Sequence, residues 1–169
     1  FMLLSRISLT LNQSDVIFNV AQREKYKIEC TDTEIIENPY ILYEKTRNHK
    51  FDLQITINKV DMAVFPPIMI QEKYPLPKPS CLSSDNDERR VRAIAISILE
   101  NQIEKGHTIY PCNNLILDMN NLAIEPNCKV TQDILNAINV HLSKEIVVIK
   151  MKNGENAFKL SRINEIDEL

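Results

Sequence analysis

Two groups of cations stand out by type and spacing. Arg89, Arg90 and Arg92 fall on one turn of a helix-forming stretch, and Lys150, Lys152, Lys159 and Arg162 gather around an Asn153-Gly154 turn. Clustered cations are what phosphate selects, arginine as a bidentate fork and lysine as a point charge, so these seven residues are the candidate nucleic-acid contacts. Each group also has a plainer reading. The arginines follow Asp85, Asp87 and Glu88 and can form an exposed, self-compensating helix start, or else meet phosphate or an acidic face of a neighbouring domain. The lysines can blunt an exposed sheet edge against aggregation.

Other chemistry finds little support. The three histidines, His49, His107 and His141, lie in unrelated contexts, no serine sits in a nucleophile elbow, and no paired-carboxylate motif occurs. His107, beside Gly106, is placed to bond the open carbonyls of a helix end. Cys30, Cys81, Cys112 and Cys128 are scattered without a C-x-x-C and no charged-then-apolar leader precedes them, which predicts reduced thiols in a cytoplasmic protein. His107, Cys112, Cys128 and His141 fit no standard zinc spacing. Gly106 and Gly154 are the only glycines, and neither a G-x-x-x-x-G-K-[ST] nor a G-x-G-x-x-G occurs. A phosphate loop needs residues free to take positive φ, so we expect no nucleotide hydrolysis, catalytic residue, cofactor or metal in this chain.

The elements that position the cations follow from patterning. At 169 residues, 44% apolar and 25% charged, the chain can fill one larger core or two small ones, with neither general disorder nor a membrane span expected. A net charge of −3 and an isoelectric point near 5.7 remove the simplest argument for nucleic-acid binding, a strongly basic domain. The whole excess lies after residue 80, so DNA affinity should be weak and salt-sensitive. A start at Phe1-Met2 suggests a piece of a longer chain.

The first half reads as short helices separated by prolines. Met2–Leu11 is apolar around Arg6, and Ser14 or Asp15 can cap a segment through Arg23. Asp32–Glu37 forms a capped turn, and Asn38-Pro39 restarts a helix through Lys45. Phe51–Ile57 alternates like a short strand, or leads into a helix capped by Thr56. Pro66-Pro67 ends Val60–Phe65 and opens a turn through Lys73. Tyr74-Pro75-Leu76-Pro77-Lys78-Pro79-Ser80 is an extended, stiff linker, which divides a small helical domain, 1–80, from a second domain, 81–169.

In the second domain Asp85, Asn86 or Asp87 caps a long helix, 88–105, with Gly106 as its left-handed C-terminal cap. A very short strand follows at His107–Tyr110, and a helix opens at Pro111. Thr131 caps a third helix to about Leu142, and Glu145–Lys150 and Ala157–Leu160 flank the Asn153-Gly154 hairpin turn. Helix, short strand, two helices and a hairpin is the order of a winged helix. The fold class is therefore mainly α with a small β component. The third helix carries Asp133 and no cation before Lys144, so it should repel phosphate. Asn136 and Asn139 on it can read adenine edges or simply be solvated.

Several strings resemble the amino-terminal region of RecD-like ATP-dependent DNA helicases, including members described as AAA-family ATPases. They are Glu37-Asn38-Pro39-Tyr40-Ile41-Leu42-Tyr43-Glu44, Ile57-Asn58-Lys59-Val60-Asp61-Met62-Ala63-Val64-Phe65-Pro66, Lys73-Tyr74-Pro75-Leu76-Pro77, Arg89-Arg90-Val91-Arg92-Ala93 and Glu104-Lys105-Gly106-His107-Thr108-Ile109-Tyr110-Pro111. The resemblance implies an accessory region in front of a two-lobed helicase motor. That motor, in cis, would carry ATP and magnesium, and Ile163–Leu169 would lead toward it. It also implies helix-hairpin-helix elements around Asn38-Pro39-Tyr40. Such hairpins hold phosphate through glycine-rich turns, and the first half has no glycine.

Three function classes follow. The first is a non-catalytic helicase segment that positions or separates single-stranded or forked DNA, without membrane contact. The second is a protein-interaction or connecting module that binds no nucleic acid, and the third is a transcriptional regulator.

Overall fold

Capping side chains at Thr10, Asn19 and Thr31, and prolines farther along, chop the first half into helices of five to eight residues. The computed structural model describes residues 2–167. It is mainly helical with one small antiparallel sheet, and it divides into two compact units between Ser83 and Ser84.

In the first unit α1 spans Met2–Arg6, α2 Leu11–Phe18 and α3 Val20–Lys25. Thr10, rather than Ser14 or Asp15, caps α2 through a reciprocal capping box with Gln13. The expected run to Arg23 breaks at Asn19, whose Oδ1 accepts the Ala21 and Gln22 amides and so starts α3 afresh. Thr31 and Glu34 form a second capping box at α4 (Asp32–Glu37). Asn38 Oδ1 accepts the Tyr40 amide, and Pro39-Tyr40 make the turn from which α5 (Ile41–Thr46) grows.

No strand forms at Phe51–Ile57. The Ile55 amide donates to Thr46 Oγ1 at 2.9 Å, which removes it from any ladder, and Thr56 takes the N-cap position of α6 (Ile57–Val64). α7 (Ile68–Lys73) follows the proline pair and buries none of its residues. The proline segment is extended only as far as Pro77. Lys78–Ser80 then forms a 3-10 turn, and the buried Ser80 hydroxyl donates to the Ile36 carbonyl at 2.7 Å, fastening this segment to α4 within the first unit. Tyr40, with no exposed surface, donates its hydroxyl to Asp61 Oδ1 at 2.6 Å. The Asn-Pro-Tyr string is thereby joined to the Val-Asp-Met string inside the core.

The second unit holds α8 (Glu88–Glu104), β1 (Tyr110–Pro111), α9 (Cys112–Asn121), α10 (Gln132–Ala137), α11 (Asn139–Leu142), β2 (Ile146–Lys150), β3 (Asn156–Leu160) and α12 (Ser161–Asp167). Asp87 caps α8 by accepting the Arg89 amide. At the other end Gly106, at φ +90°, lets its own amide reach the Ile103 carbonyl and the His107 amide reach Gln102, the paired bonds of a Schellman cap. The His107 backbone does this work, while its imidazole is exposed, which corrects the side-chain role expected from sequence.

The expected strand shrinks to Tyr110–Pro111, since the His107 amide is spent on the Gln102 carbonyl at the end of α8 and Pro111 already stands at the N-cap of α9. β1 and β2 both pair antiparallel with β3, giving the order β1-β3-β2. The hairpin turns through a Met151–Gly154 hydrogen bond with Gly154 at φ +85°, so the glycine serves as the left-handed residue of a longer turn rather than of a two-residue one. Helix, strand, two helical layers and hairpin thus follow the winged-helix order, with α12 added. Ile163–Leu169 extends beyond residue 167, so its end lies outside the described residues.

Candidate nucleic-acid interface

Burial separates the seven candidate cations. Arg90 has no exposed surface; its Nη1 donates to the Asp85 carbonyl and its Nη2 to the Pro126 carbonyl, both at 2.8 Å. It is an internal strut between the start of α8 and the loop after α9. Arg92 is 5% exposed and donates to the His141 carbonyl at 3.4 Å, at the end of α11. Arg89 is held by the Asp87 carboxylate, with Nε at 2.9 Å from one oxygen and Nη2 at 2.9 Å from the other. The three arginines therefore tie one end of α8 to its surroundings and build no phosphate-facing patch.

The second group divides in the same way. Lys159 is 4% exposed on the central strand β3, and Arg162 of α12 pairs with Glu100 of α8. Only Lys150 and Lys152 stand exposed, at the tip of the hairpin. Asn153 Nδ2 donates to Glu155 Oε2 at 2.8 Å beside them, so the tip also carries an anion. The contact surface reduces to two lysines on the wing, with exposed Lys144 at the far end of β2.

The helix in the recognition position departs from the expected single run. It breaks at Ile138 (φ −96°, ψ 12°) into α10 and α11, where Asn136, Ile138, Asn139 and Val140 give low helix propensity. Gln132, Asp133, Asn136 and Asn139 are exposed there, and Gln132 Nε2 donates to Asn136 Oδ1 at 2.9 Å. His141 lies inward against α8, its Nδ1 3.8 Å from Glu88 Oε1. Burial lowers its pKa from the ordinary value, and the Arg92 charge lowers it further against the opposing pull of Glu88.

Two features escaped sequence reading. Tyr110 donates to Asp118 Oδ2 at 2.7 Å, joining β1 to α9, and this bond raises the phenol pKa. In the first unit a cavity of about 670 Å³ is lined by Arg23, Lys27, Ile28, Cys30 and Asp32 among others. Arg23 is 3% exposed, donates to the Ile17 carbonyl and pairs with Asp32, which leaves its buried Nε without an acceptor among the described residues. An apolar run followed by one arginine was the only sequence signal, and it does not distinguish a buried arginine from a solvated one.

All four cysteines are free thiols. Cys112 is buried, bonded to Gln132 Oε1 at 2.9 Å, and its pKa is raised by burial. Among the described residues no group of three or more His, Cys, Asp and Glu side chains is placed to share a metal ion, and no helix is long and apolar enough to cross a membrane. Comparison with known protein families, curated proteins and solved structures finds no match.

Proposed function

We propose that the chain is a non-catalytic accessory segment that positions or separates DNA strands beside an ATPase motor supplied in cis by further sequence, as the resemblance to RecD-like helicases implies. The carrying observation is the winged arrangement of the second unit, with Lys150 and Lys152 exposed at the turn of the β2–β3 hairpin. A wing of this kind lays its cations along a backbone rather than into a groove, which suits strand separation better than sequence reading. The expected test is a fluorescence-anisotropy titration of forked DNA at low salt. Lys150→Glu with Lys152→Glu should weaken binding about tenfold; an unchanged titration rejects the wing as the contact.

A second reading, a protein-interaction module without nucleic-acid binding, draws on the recognition position itself. α10 and α11 carry an exposed Asp133 and no Lys or Arg, and the arginines of α8 are engaged internally. The regulator reading is weakest for the same reason, since base readout needs outward donors on that helix.

A further inference from the structure

The order β1-β3-β2 leaves β2 at the edge of the sheet. Its register decides which of its backbone groups are spent. Met151 donates to the Glu155 carbonyl and Ser161 to the Glu145 carbonyl, so positions 145 and 151 face β3. In an antiparallel ladder the bonded pairs alternate, which turns Val147 and Ile149 toward β3 and turns Ile146, Val148 and Lys150 away from it. Ile146 is 1% exposed and closed off, whereas Val148 is 44% exposed and Lys150 is exposed. Among the described residues no backbone hydrogen bond satisfies the outward groups of Val148 and Lys150.

We propose that this free edge of β2 docks an extended acidic segment of a partner protein, which adds to the sheet as a further strand. Charge and chemistry select that occupant. Lys144, Lys150 and Lys152 are all exposed along or beside the edge, so a strand bearing carboxylates is attracted. A second copy is opposed: antiparallel pairing centred on Val148 sets Lys144 of each copy against Lys152 of the other. Nucleic acid fits the lysines but not the strand, because it has no repeating amide backbone to pair with the outward N–H and carbonyl groups of Val148 and Lys150 at strand spacing. Val148 and Lys150 share one face. The complementary segment therefore carries an apolar residue two positions from a carboxylate, with backbone bonds supplying affinity and these side chains specificity. This inference shares Lys150 and Lys152 with the DNA reading, and the two are told apart at the outward Val148 amide, which an added strand protects and a phosphate held by the lysines does not.

The test is amide exchange on the full chain, titrated at low salt with a short blocked peptide of alternating valine and glutamate. Exchange at Val148 and Lys150 should slow, while Val147 and Ile149 keep their rates. Lys150→Glu with Lys152→Glu should weaken the peptide about tenfold. Val148→Pro should abolish binding while keeping every bond to β3, because the amide it removes points away from that strand. If Val148→Pro fails to fold, the double lysine variant still decides. The proposal is overturned if a valine-lysine peptide binds as well, or if the acidic peptide leaves the Val148 and Lys150 rates unchanged. Slowing with protein concentration alone, or by a single-stranded oligonucleotide in place of the peptide, overturns it equally.

Discussion

A guanidinium shut away from water must find acceptors indoors, because it keeps its proton at any accessible pH. Arg90 finds them in the Asp85 and Pro126 carbonyls. Arg90→Ala would leave a cavity and strand those carbonyls, and should cost about 3–5 kcal/mol in urea unfolding. Arg89→Ala, which releases the partly exposed pairing with Asp87, should cost within about 1 kcal/mol. His141 gives a pH signature. Its folded pKa lies below the ordinary value because of burial and the Arg92 charge, with Lys144 acting in the same sense and Glu88 and Asp87 opposing. The unfolded chain thus binds the proton more readily. The contribution to stability is fully present above about pH 6.5 and is lost as the pH falls through the folded pKa. His141→Gln should flatten that part of the profile in thermal melts taken across it.

Both glycines take positive φ where a helix ends or a hairpin turns. A Cβ on Gly106 would meet nothing within 4 Å, so only its φ of +90° opposes a side chain. Gly106→Ala should cost about 1–2 kcal/mol, measured by chemical denaturation, with D-alanine at that position restoring stability. This cap, the hairpin, a start of α8 at one of Asp85, Asn86 and Asp87, and the helices around Pro66-Pro67 were legible, because local chemistry decides them. The breaks at Asn19 and Ile138 were not. Each lies inside a run whose apolar spacing stays helical on both sides, and the break is decided by a side chain returning to its own backbone or by packing. Of the two readings of Phe51–Ile57, the structure follows the lead into a helix at Thr56 and not the strand, because alternation says nothing about whether a partner strand exists. The seven cations were visible by type, but which of them are buried depends on Pro126, His141 and Glu100, each distant in sequence.

For the whole molecule, Ser83, Ser84 and Asp85 are exposed at the division between units. A nonspecific protease at low dose should therefore cut there first, giving two resistant fragments by mass spectrometry. With only Lys150 and Lys152 exposed on the wing, DNA binding should show a log–log salt slope no steeper than about −2. A steeper slope would require cations elsewhere on the chain. The sorting of charge by depth has a consequence for how such a chain can change over generations. Arg90 and Arg92, which hold the second unit, are insulated from solvent, while Lys150 and Lys152 of the wing stand exposed. Partner preference can then drift, reverse or be redesigned one hairpin residue at a time, with little penalty in folding.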